Sequence, residues 1–153
     1  MIDVFITFSS KYLIYSLVTL YLIYLFFQTS SRKKGIIMLS LFSFTTAFIV
    51  SRILSNLYYS TRPFVAQNFT PLISHAPDNG FPSDHALLSF TLASVMFAFS
   101  RKWGAIIFAI GTGIGLARII AGIHSPVDII GSLIVGAGSV FICYQIIKLR
   151  LVK

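Results

Sequence analysis

The sequence predicts an all-α membrane protein, a polytopic helical bundle with about five transmembrane helices and a short N-terminal interfacial segment. Apolar residues make up 56% of the 153 residues and charged residues only 10%, whereas a soluble domain carries about 25% charged residues. Five apolar runs approach the roughly 20 residues that cross a bilayer as a helix. Most basic residues lie between these runs, so membrane orientation explains the net charge of +8 better than nucleic-acid binding does.

The predicted elements follow these runs in chain order. Residues 1–10 are too short to span a bilayer and are expected at the membrane interface, and they lack the basic region and cleavage site of a signal peptide. The loop 59–84 contains four of the five prolines, which predicts a fixed, non-helical path. We treat 1–153 as one domain. The five spans are expected at about 12–28, 35–58, 85–100, 103–122 and 127–148.

The basic residues predict how the bundle is oriented. If the chain crosses five times, one side holds Arg32, Lys33, Lys34, Arg101, Lys102, Lys148, Arg150 and Lys153. Short loops rich in Lys and Arg remain cytoplasmic, so the other face and the N-terminus are expected to point outward. Lys11 opposes this orientation, because it precedes the first span and would lie on the outer side. The outer face then collects the side chains that could carry chemistry: Arg52, Arg62, His75, Asp78, Asp84, His85, Arg118, His124 and Asp128.

Two segments on the outer face combine charge with the end of a span. In STRPFV, Arg62 follows the second span and Pro63 favours an extended backbone around it, although an arginine here could simply snorkel to the interface. In FPSDHA, Ser83 is a natural N-cap, which places Asp84 and His85 in the first turn of the third span. A helix start binds anions through its free N–H groups, while simple capping is the alternative.

The third segment, ARIIAGIHSPVDIIG, carries an i, i+4 pair at the entry to the fifth span. Arg118 ends the fourth span, and His124 and Asp128 form the pair. Ser125 and Asp128 also match a capping box with proline at the first helical position. In a functional interpretation, Asp128 orients the His124 ring. Both roles are compatible, since a carboxylate has two oxygens.

Taken together, these residues favour a phosphate site. Charge at membrane depth costs roughly 2.5–3.5 kcal/mol per residue, so such residues are functional by default. Three arginines, two histidines and a helix start suit a phosphate, whose oxygens match the guanidinium fork. Mg²⁺ is held largely by carboxylates and water. The chain has no Glu and only four Asp, so neither a metal nor another cofactor is expected.

The three segments resemble the signature of the type 2 phosphatidic acid phosphatases (PAP2), integral membrane lipid phosphatases that work without metal. The matching residues are Arg62-Pro63, Pro82-Ser83-Asp84-His85 and Arg118-x5-His124-x3-Asp128, and the resemblance runs from about residue 50 to 132. Within the family, RPFV, HAPDNGFPSDHA and GIHSPVDIIGS are most similar to the bacitracin-resistance type of undecaprenyl-diphosphatase. Two positions depart from the pattern: Ser55 replaces a frequent Lys, and Ala117 a frequent Ser.

The resemblance implies removal of the terminal phosphate of undecaprenyl diphosphate, which recycles a lipid carrier for cell-wall synthesis. It implies a nucleophilic His124 that forms a phosphohistidine, with Asp128 orienting its ring and His85 transferring protons. The phosphate-binding residues would be Arg62, Ser83 and Arg118. The possible accessory residues are Arg52, His75, Asp78 and Asp84. Arg52 could supply the missing Lys charge or snorkel, and His75 and Asp78 could contact the diphosphate or order the loop.

Other functions stay open from the sequence. A PAP2 enzyme could act on phosphatidylglycerol phosphate, phosphatidic acid or lipid A, and a non-catalytic protein could bind lipid head groups. The binder does not require the His124–Asp128 pair, and a transporter would be expected to have a span broken midway. The implied partners are the lipid diphosphate and membrane lipids, with no nucleic acid and no obligate protein partner. Six glycines are expected to let spans four and five pack closely: Gly111, Gly113, Gly115, Gly131, Gly136 and Gly138.

Overall fold

A computed structural model describes residues 1–151 of the chain, so that Lys153 and the side chain of Arg150 lie outside the described part. The described residues form an all-α bundle, which confirms the predicted fold class. Its helices are α1 (Ile2–Lys11), α2 (Leu13–Phe26), α3 (Ser30–Leu57), α4 (Pro63–Ala66), α5 (Asp84–Phe99), α6 (Arg101–Ile120) and α7 (Pro126–Leu151).

The helices that correspond to the five predicted spans differ in length. By length and composition, α3, α6 and α7 can each cross a membrane, and α1 and α2 meet the same criterion together, with a 48° bend between them. Helix α5 has 16 residues, or about 24 Å at a rise of 1.5 Å per residue. It is the central helix, since it packs against α3, α6 and α7, and nine of its residues are buried.

Close helix packing around α5 explains several of the glycines. A Cβ atom added at Gly111 would lie 2.9 Å from Ser89 of α5, and one at Gly136 would lie 2.8 Å from Thr91 of α5. Gly115 does face α7, with Ile129 at 2.8 Å. The expectation that the glycines join spans four and five directly is therefore wrong at Gly111 and Gly136, because α5 lies between α6 and α7. It is also wrong at Gly131, where an added Cβ would meet the Phe81 ring of the loop. Two of the six have no atom within 4 Å of an added Cβ: Gly113 and Gly138.

The order of the helices separates two ends of the bundle. One end contains the C-termini of α3 and α6 and the N-termini of α5 and α7. The opposite end contains the basic N-terminus of α3, where Arg32 donates a hydrogen bond to the carbonyl of Phe99. Helix α1 lies at the first end, because the carbonyl of Ser10 accepts a hydrogen bond from Arg118 near the C-terminus of α6. The polar segments singled out in the sequence meet at this first end.

The connection from α3 to α5 is fixed by backbone hydrogen bonds to the turn between α6 and α7. Arg62 is extended, as predicted, but Pro63 begins the short helix α4, so the expected wholly non-helical path is wrong here. Proline suits the first helical position, where its missing N–H has no helical partner to lose. The N–H of Phe64 donates to the carbonyl of Gly122 (3.1 Å). Gly122 has a φ of +78°, and a side chain there would collide with the Phe69 ring.

Candidate active site

A cavity of about 390 Å³ opens at the first end of the bundle, where α3 and α6 end and α5 and α7 begin. This volume falls within the roughly 300–1,000 Å³ of small-molecule pockets. All but two of the residues proposed from the sequence line its wall; the exceptions are Ser83 and Asp128. The lining residues are Arg52, Ser55, Asn56, Arg62, His75, Asp78, Asn79, Phe81, Pro82, Asp84, His85, Arg118 and His124.

Arg62 points into the protein and does not snorkel. Its residue surface is 4% exposed. Its Nε donates to Asp78 Oδ1 (2.8 Å), its Nη1 to the carbonyl of Ile123 (2.8 Å), and its Nη2 to the carbonyl of Asn79 (3.2 Å). The guanidinium is thus fixed from three directions. The extended backbone before Pro63 turns Arg62 away from α3 and allows this inward path.

A second buried guanidinium, that of Arg118, meets Arg62 at the His124 ring. Arg118 Nη2 lies 3.1 Å from His124 Nε2, and Arg62 Nη1 lies 3.4 Å from the same nitrogen. A guanidinium can only donate hydrogen bonds, so Nε2 acts as an acceptor and the ring proton is on Nδ1. The ring nitrogen that carries the free lone pair therefore faces two cationic donors.

The opposite ring nitrogen of His124 faces Asp128. Nδ1 lies 3.3 Å from Asp128 Oδ2, and the N–H of Ser125 donates to the same oxygen (2.7 Å). The N–H of Asp128 in turn donates to Ser125 Oγ (3.4 Å), which completes the predicted capping box. One oxygen carries both roles, whereas the sequence suggested one oxygen for each. Asp128 Oδ1 is buried with no hydrogen-bond partner among the described residues.

The electrostatic surroundings of His124 keep its ring neutral. Burial lowers the pKa of His124, and the bond to Asp128 raises it. The charges of Arg118 and Arg62 lower the pKa again, so that it lies below the usual 6.5. At neutral pH the ring therefore keeps a free lone pair on Nε2.

The start of α5 supplies part of the cavity wall. Asp84 and His85 line it from the first helical turn, where backbone N–H groups have no partner within the helix. Ser83 occupies the N-cap position, but its side chain makes no capping bond. Its hydroxyl is buried without a hydrogen-bond partner in the described part of the chain, so the structure does not bring this side chain to the wall.

The mouth of the cavity carries two further acid–base pairs. Arg52 Nη2 lies 3.1 Å from Asp84 Oδ1, and both side chains are largely exposed. On the other side, the His75 ring packs edge-on to the His124 ring with centroids 6.3 Å apart, and its Nδ1 lies 3.8 Å from Asp78 Oδ1. Burial lowers the pKa of His75. Asp78 holds Arg62 directly, which is a loop-ordering contact.

Two residues that the sequence reasoning passed over organise the site. The side chain of Asn79 accepts from the N–H groups of Ser60 (2.9 Å) and Phe81 (3.0 Å), and it donates to the carbonyls of Ser55 (2.8 Å) and Tyr58 (2.9 Å). A Cβ atom at Gly80 would lie 2.9 Å from Asp128 Oδ2. The Asn-Gly pair is a turn signal, but it does not reveal these partners.

The apolar bundle defines an integral membrane protein, and the buried His124 lies at a cavity that three arginines line. Within the described residues, no group of three or more His, Cys, Asp or Glu side chains is placed to hold a metal ion. The chain belongs to the PAP2 superfamily, whose sequence model matches residues 36–151. It is therefore a membrane phosphatase of that family, as the three segments predicted.

The chain is also similar to individual proteins of known name or structure. The chain is 28% identical to the bacitracin transport permease protein BcrC of Bacillus licheniformis over 154 residues, covering 99% of this chain and 75% of the relative. It is 36% identical to the undecaprenyl-diphosphatase BcrC of Bacillus subtilis over 138 residues, covering 88% and 69%. The crystal structure of Aquifex aeolicus LpxE shares the fold, with a TM-score of 0.77, 24% identity, and coverage of 94% of this chain and 86% of that one.

Proposed function

We propose that this phosphatase removes the terminal phosphate of undecaprenyl diphosphate through a phosphohistidine at His124. The observation that carries the proposal is the position of His124 Nε2, an unprotonated nitrogen within 3.1 Å and 3.4 Å of two guanidinium groups. The undecaprenyl-diphosphatase name of the Bacillus subtilis relative supports the choice of lipid. The reaction would recycle the lipid carrier for cell-wall synthesis, on the outer face of the membrane and without a metal.

In the first half-reaction, His124 Nε2 attacks the terminal phosphorus. The Nε2–P bond forms, and the bond from phosphorus to the bridging oxygen breaks, so that its electron pair leaves with the lipid monophosphate. The donors of Arg62 and Arg118, which point at Nε2 in the free enzyme, turn to the equatorial oxygens of the transferred group. Asp128 stabilises the ring as it becomes positive, and His85 donates a proton to the leaving oxygen.

In the second half-reaction, water attacks the phosphohistidine from the cavity. His85, now without its proton, accepts one from the water. The Nε2–P bond breaks, its electron pair returns to His124, and phosphate leaves. Because phosphoryl transfer depends mainly on positioning and electrostatics, the buried arginines and Asp128 are expected to contribute most of the rate.

The proposal is tested with purified protein and three lipids in the presence of a chelator: undecaprenyl diphosphate, phosphatidylglycerol phosphate and phosphatidic acid. We expect phosphate release from undecaprenyl diphosphate, its loss in His124→Ala, and no change in Lys148→Gln at the other end of the bundle. A quenched reaction with labelled terminal phosphate should leave acid-labile label on the protein. Faster phosphate release from another of the lipids would assign that lipid as the substrate. Activity abolished by the chelator would refute the metal-free mechanism. No phosphate release from any lipid would favour a non-catalytic protein that binds head groups.

A further inference from the structure

The Arg52–Asp84 pair has no part in the chemistry at His124. Arg52 extends from α3 and Asp84 from the first turn of α5, and both line the cavity that contains His124. The two side chains are 53% and 68% exposed, whereas the Arg62 side chain is 5% exposed and Arg118 is buried. The cavity thus has a closed, buried cationic end and an open end where a third arginine is held by a carboxylate.

A carboxylate at the mouth of a phosphate pocket opposes the entry of an anion, unless a cation neutralises it. Asp84 is one of four acidic residues in the chain, and its partner Arg52 is 3.1 Å away. Exposed ion pairs of this kind contribute little stability. A phosphate group, which offers the guanidinium a bidentate match, can therefore displace Asp84 at small cost.

We propose that Arg52 forms a second phosphate subsite, which binds the non-transferred phosphate of a diphosphate substrate, and that Asp84 is its displaceable counter-ion. This inference rests on the proposed function. With the terminal phosphate against His124, Arg62 and Arg118, the remainder of the substrate extends toward the opening, because the buried side is closed. The next group along the substrate is the second phosphate, which meets Arg52 there.

The same pair assists release of the product. Once the terminal phosphate has been transferred, the lipid monophosphate keeps only its contact with Arg52. Asp84, which stays beside Arg52 on the rigid first turn of α5, competes for the guanidinium and returns to it. The pair thus favours diphosphates over monophosphates during binding and weakens the hold on the monophosphate product.

A binding measurement tests the subsite without relying on catalysis. Methylenediphosphonate and inorganic phosphate are titrated into the purified wild-type protein and into R52Q, R52K and D84N. We expect R52Q to weaken diphosphonate binding about tenfold or more and to leave phosphate binding nearly unchanged. R52K should recover part of the lost diphosphonate affinity. D84N should tighten diphosphonate binding. R101Q serves as the matched control, because it removes an exposed arginine at the far end of α6, about 25 Å from Arg118 along the helix.

A kinetic measurement compares two substrates that differ by one phosphate, farnesyl diphosphate and farnesyl phosphate. R52Q should lower kcat/KM for the diphosphate and leave kcat/KM for farnesyl phosphate nearly unchanged, because only the diphosphate has a phosphate in the leaving group. D84N should lower the inhibition constant of farnesyl phosphate as a product. Equal losses on both substrates in R52Q, or none, would overturn the subsite. A wild-type protein that binds diphosphonate through Arg52 but releases no phosphate would overturn the proposed function and leave the subsite supported.

Discussion

His124 is surrounded by groups that act on its ring in opposite directions. Burial and the charges of two arginines lower its pKa below 6.5, while the bond to Asp128 raises it. A protonated ring has no lone pair with which to attack phosphorus. As the pH falls through this lowered pKa, the ring of the free enzyme gains a proton and the reaction slows.

We therefore expect kcat/KM, which reports the free enzyme, to stay level from neutral pH down and to fall along an acid limb below pH 6.5. Asp128→Asn removes the group that raises the pKa of His124, so its acid limb should move to a lower pH while the plateau drops. The measurement is a pH profile of phosphate release for both proteins. An acid limb that moves to higher pH in Asp128→Asn would contradict this account of the pair.

His85 lines the same cavity, and its proposed role depends on the leaving group. A lipid monophosphate is a good leaving group that needs little protonation, whereas an alkoxide needs a proton as the bond breaks. His85→Ala is therefore expected to lower kcat by about 10²–10⁴-fold on a phosphate monoester and by less on a diphosphate. Steady-state rates on farnesyl phosphate and farnesyl diphosphate measure the difference. Equal losses on the two substrates would exclude His85 as the acid of the first step.

At the scale of elements, the loop before α5 depends on a close approach between Gly80 and α7. A Cβ atom at Gly80 would lie 2.9 Å from Asp128 Oδ2 and 3.2 Å from the carbonyl of Ser60. Gly80→Ala is expected to push Asp128 or the loop away, which costs about 1–3 kcal/mol of overpacking and lowers kcat. Thermal unfolding and phosphate release measure the two effects.

Gly113 provides the matched control for this substitution. It lies inside α6 with no atom within 4 Å of an added Cβ. Gly113→Ala should leave kcat unchanged and should stabilise the helix by up to about 1 kcal/mol. If the two alanine variants behaved alike, the close contact at Gly80 would not explain the result.

Helix α1 supports the site from outside the segment that the family match covers. The carbonyl of Ser10 accepts a hydrogen bond from Arg118 Nη1 (3.2 Å), and Ile6 packs against Ile73, Ala121 and Ile123 beneath the loop. Ile6→Ala should loosen this packing, since deleting a buried isoleucine side chain costs about 2–5 kcal/mol. Arg118 would then be held less firmly, and kcat should fall. Ile2→Ala, at a residue that is 75% exposed, should have wild-type kinetics.

These contacts mark where sequence reasoning reaches its limit. The start of α5 was predictable, because Ser83 precedes an apolar run. The His124–Asp128 pair was also predictable, because the capping box of Ser125 and Asp128 fixes the turn into α7 directly after His124. The Ser10–Arg118 bond joins residues 108 positions apart, and no local pattern reports it. Arg52 and Arg62 lie ten positions apart, and the sequence alone does not show that both line one cavity. Helix α3 ends at Leu57, and the chain turns back to the same cavity.

At the scale of the whole molecule, the two ends of the bundle differ in the kind of polar residue they hold. The cavity end gathers histidines, aspartates and partnered arginines, whereas the far end has Arg32, Lys33, Lys34, Arg101, Lys102 and Lys148. Lys- and Arg-rich short segments stay in the cytoplasm. This asymmetry favours an outward-facing cavity. Among the lysines of the described residues, Lys11 at the end of α1 is the one that lies at the cavity end.

The orientation is open to a direct measurement, because the chain has a single cysteine, Cys143, which is buried. In a Cys143→Ser background, Gln67→Cys places a thiol in the exposed loop at the cavity end, and Lys102→Cys places one at the far end. We expect a membrane-impermeant thiol reagent to label the Gln67→Cys protein in intact cells and the Lys102→Cys protein only after the membrane is opened. The reverse pattern would put the cavity in the cytoplasm, where the positive-inside rule does not place it. Labelling of both thiols in intact cells would show that the chain inserts in two orientations.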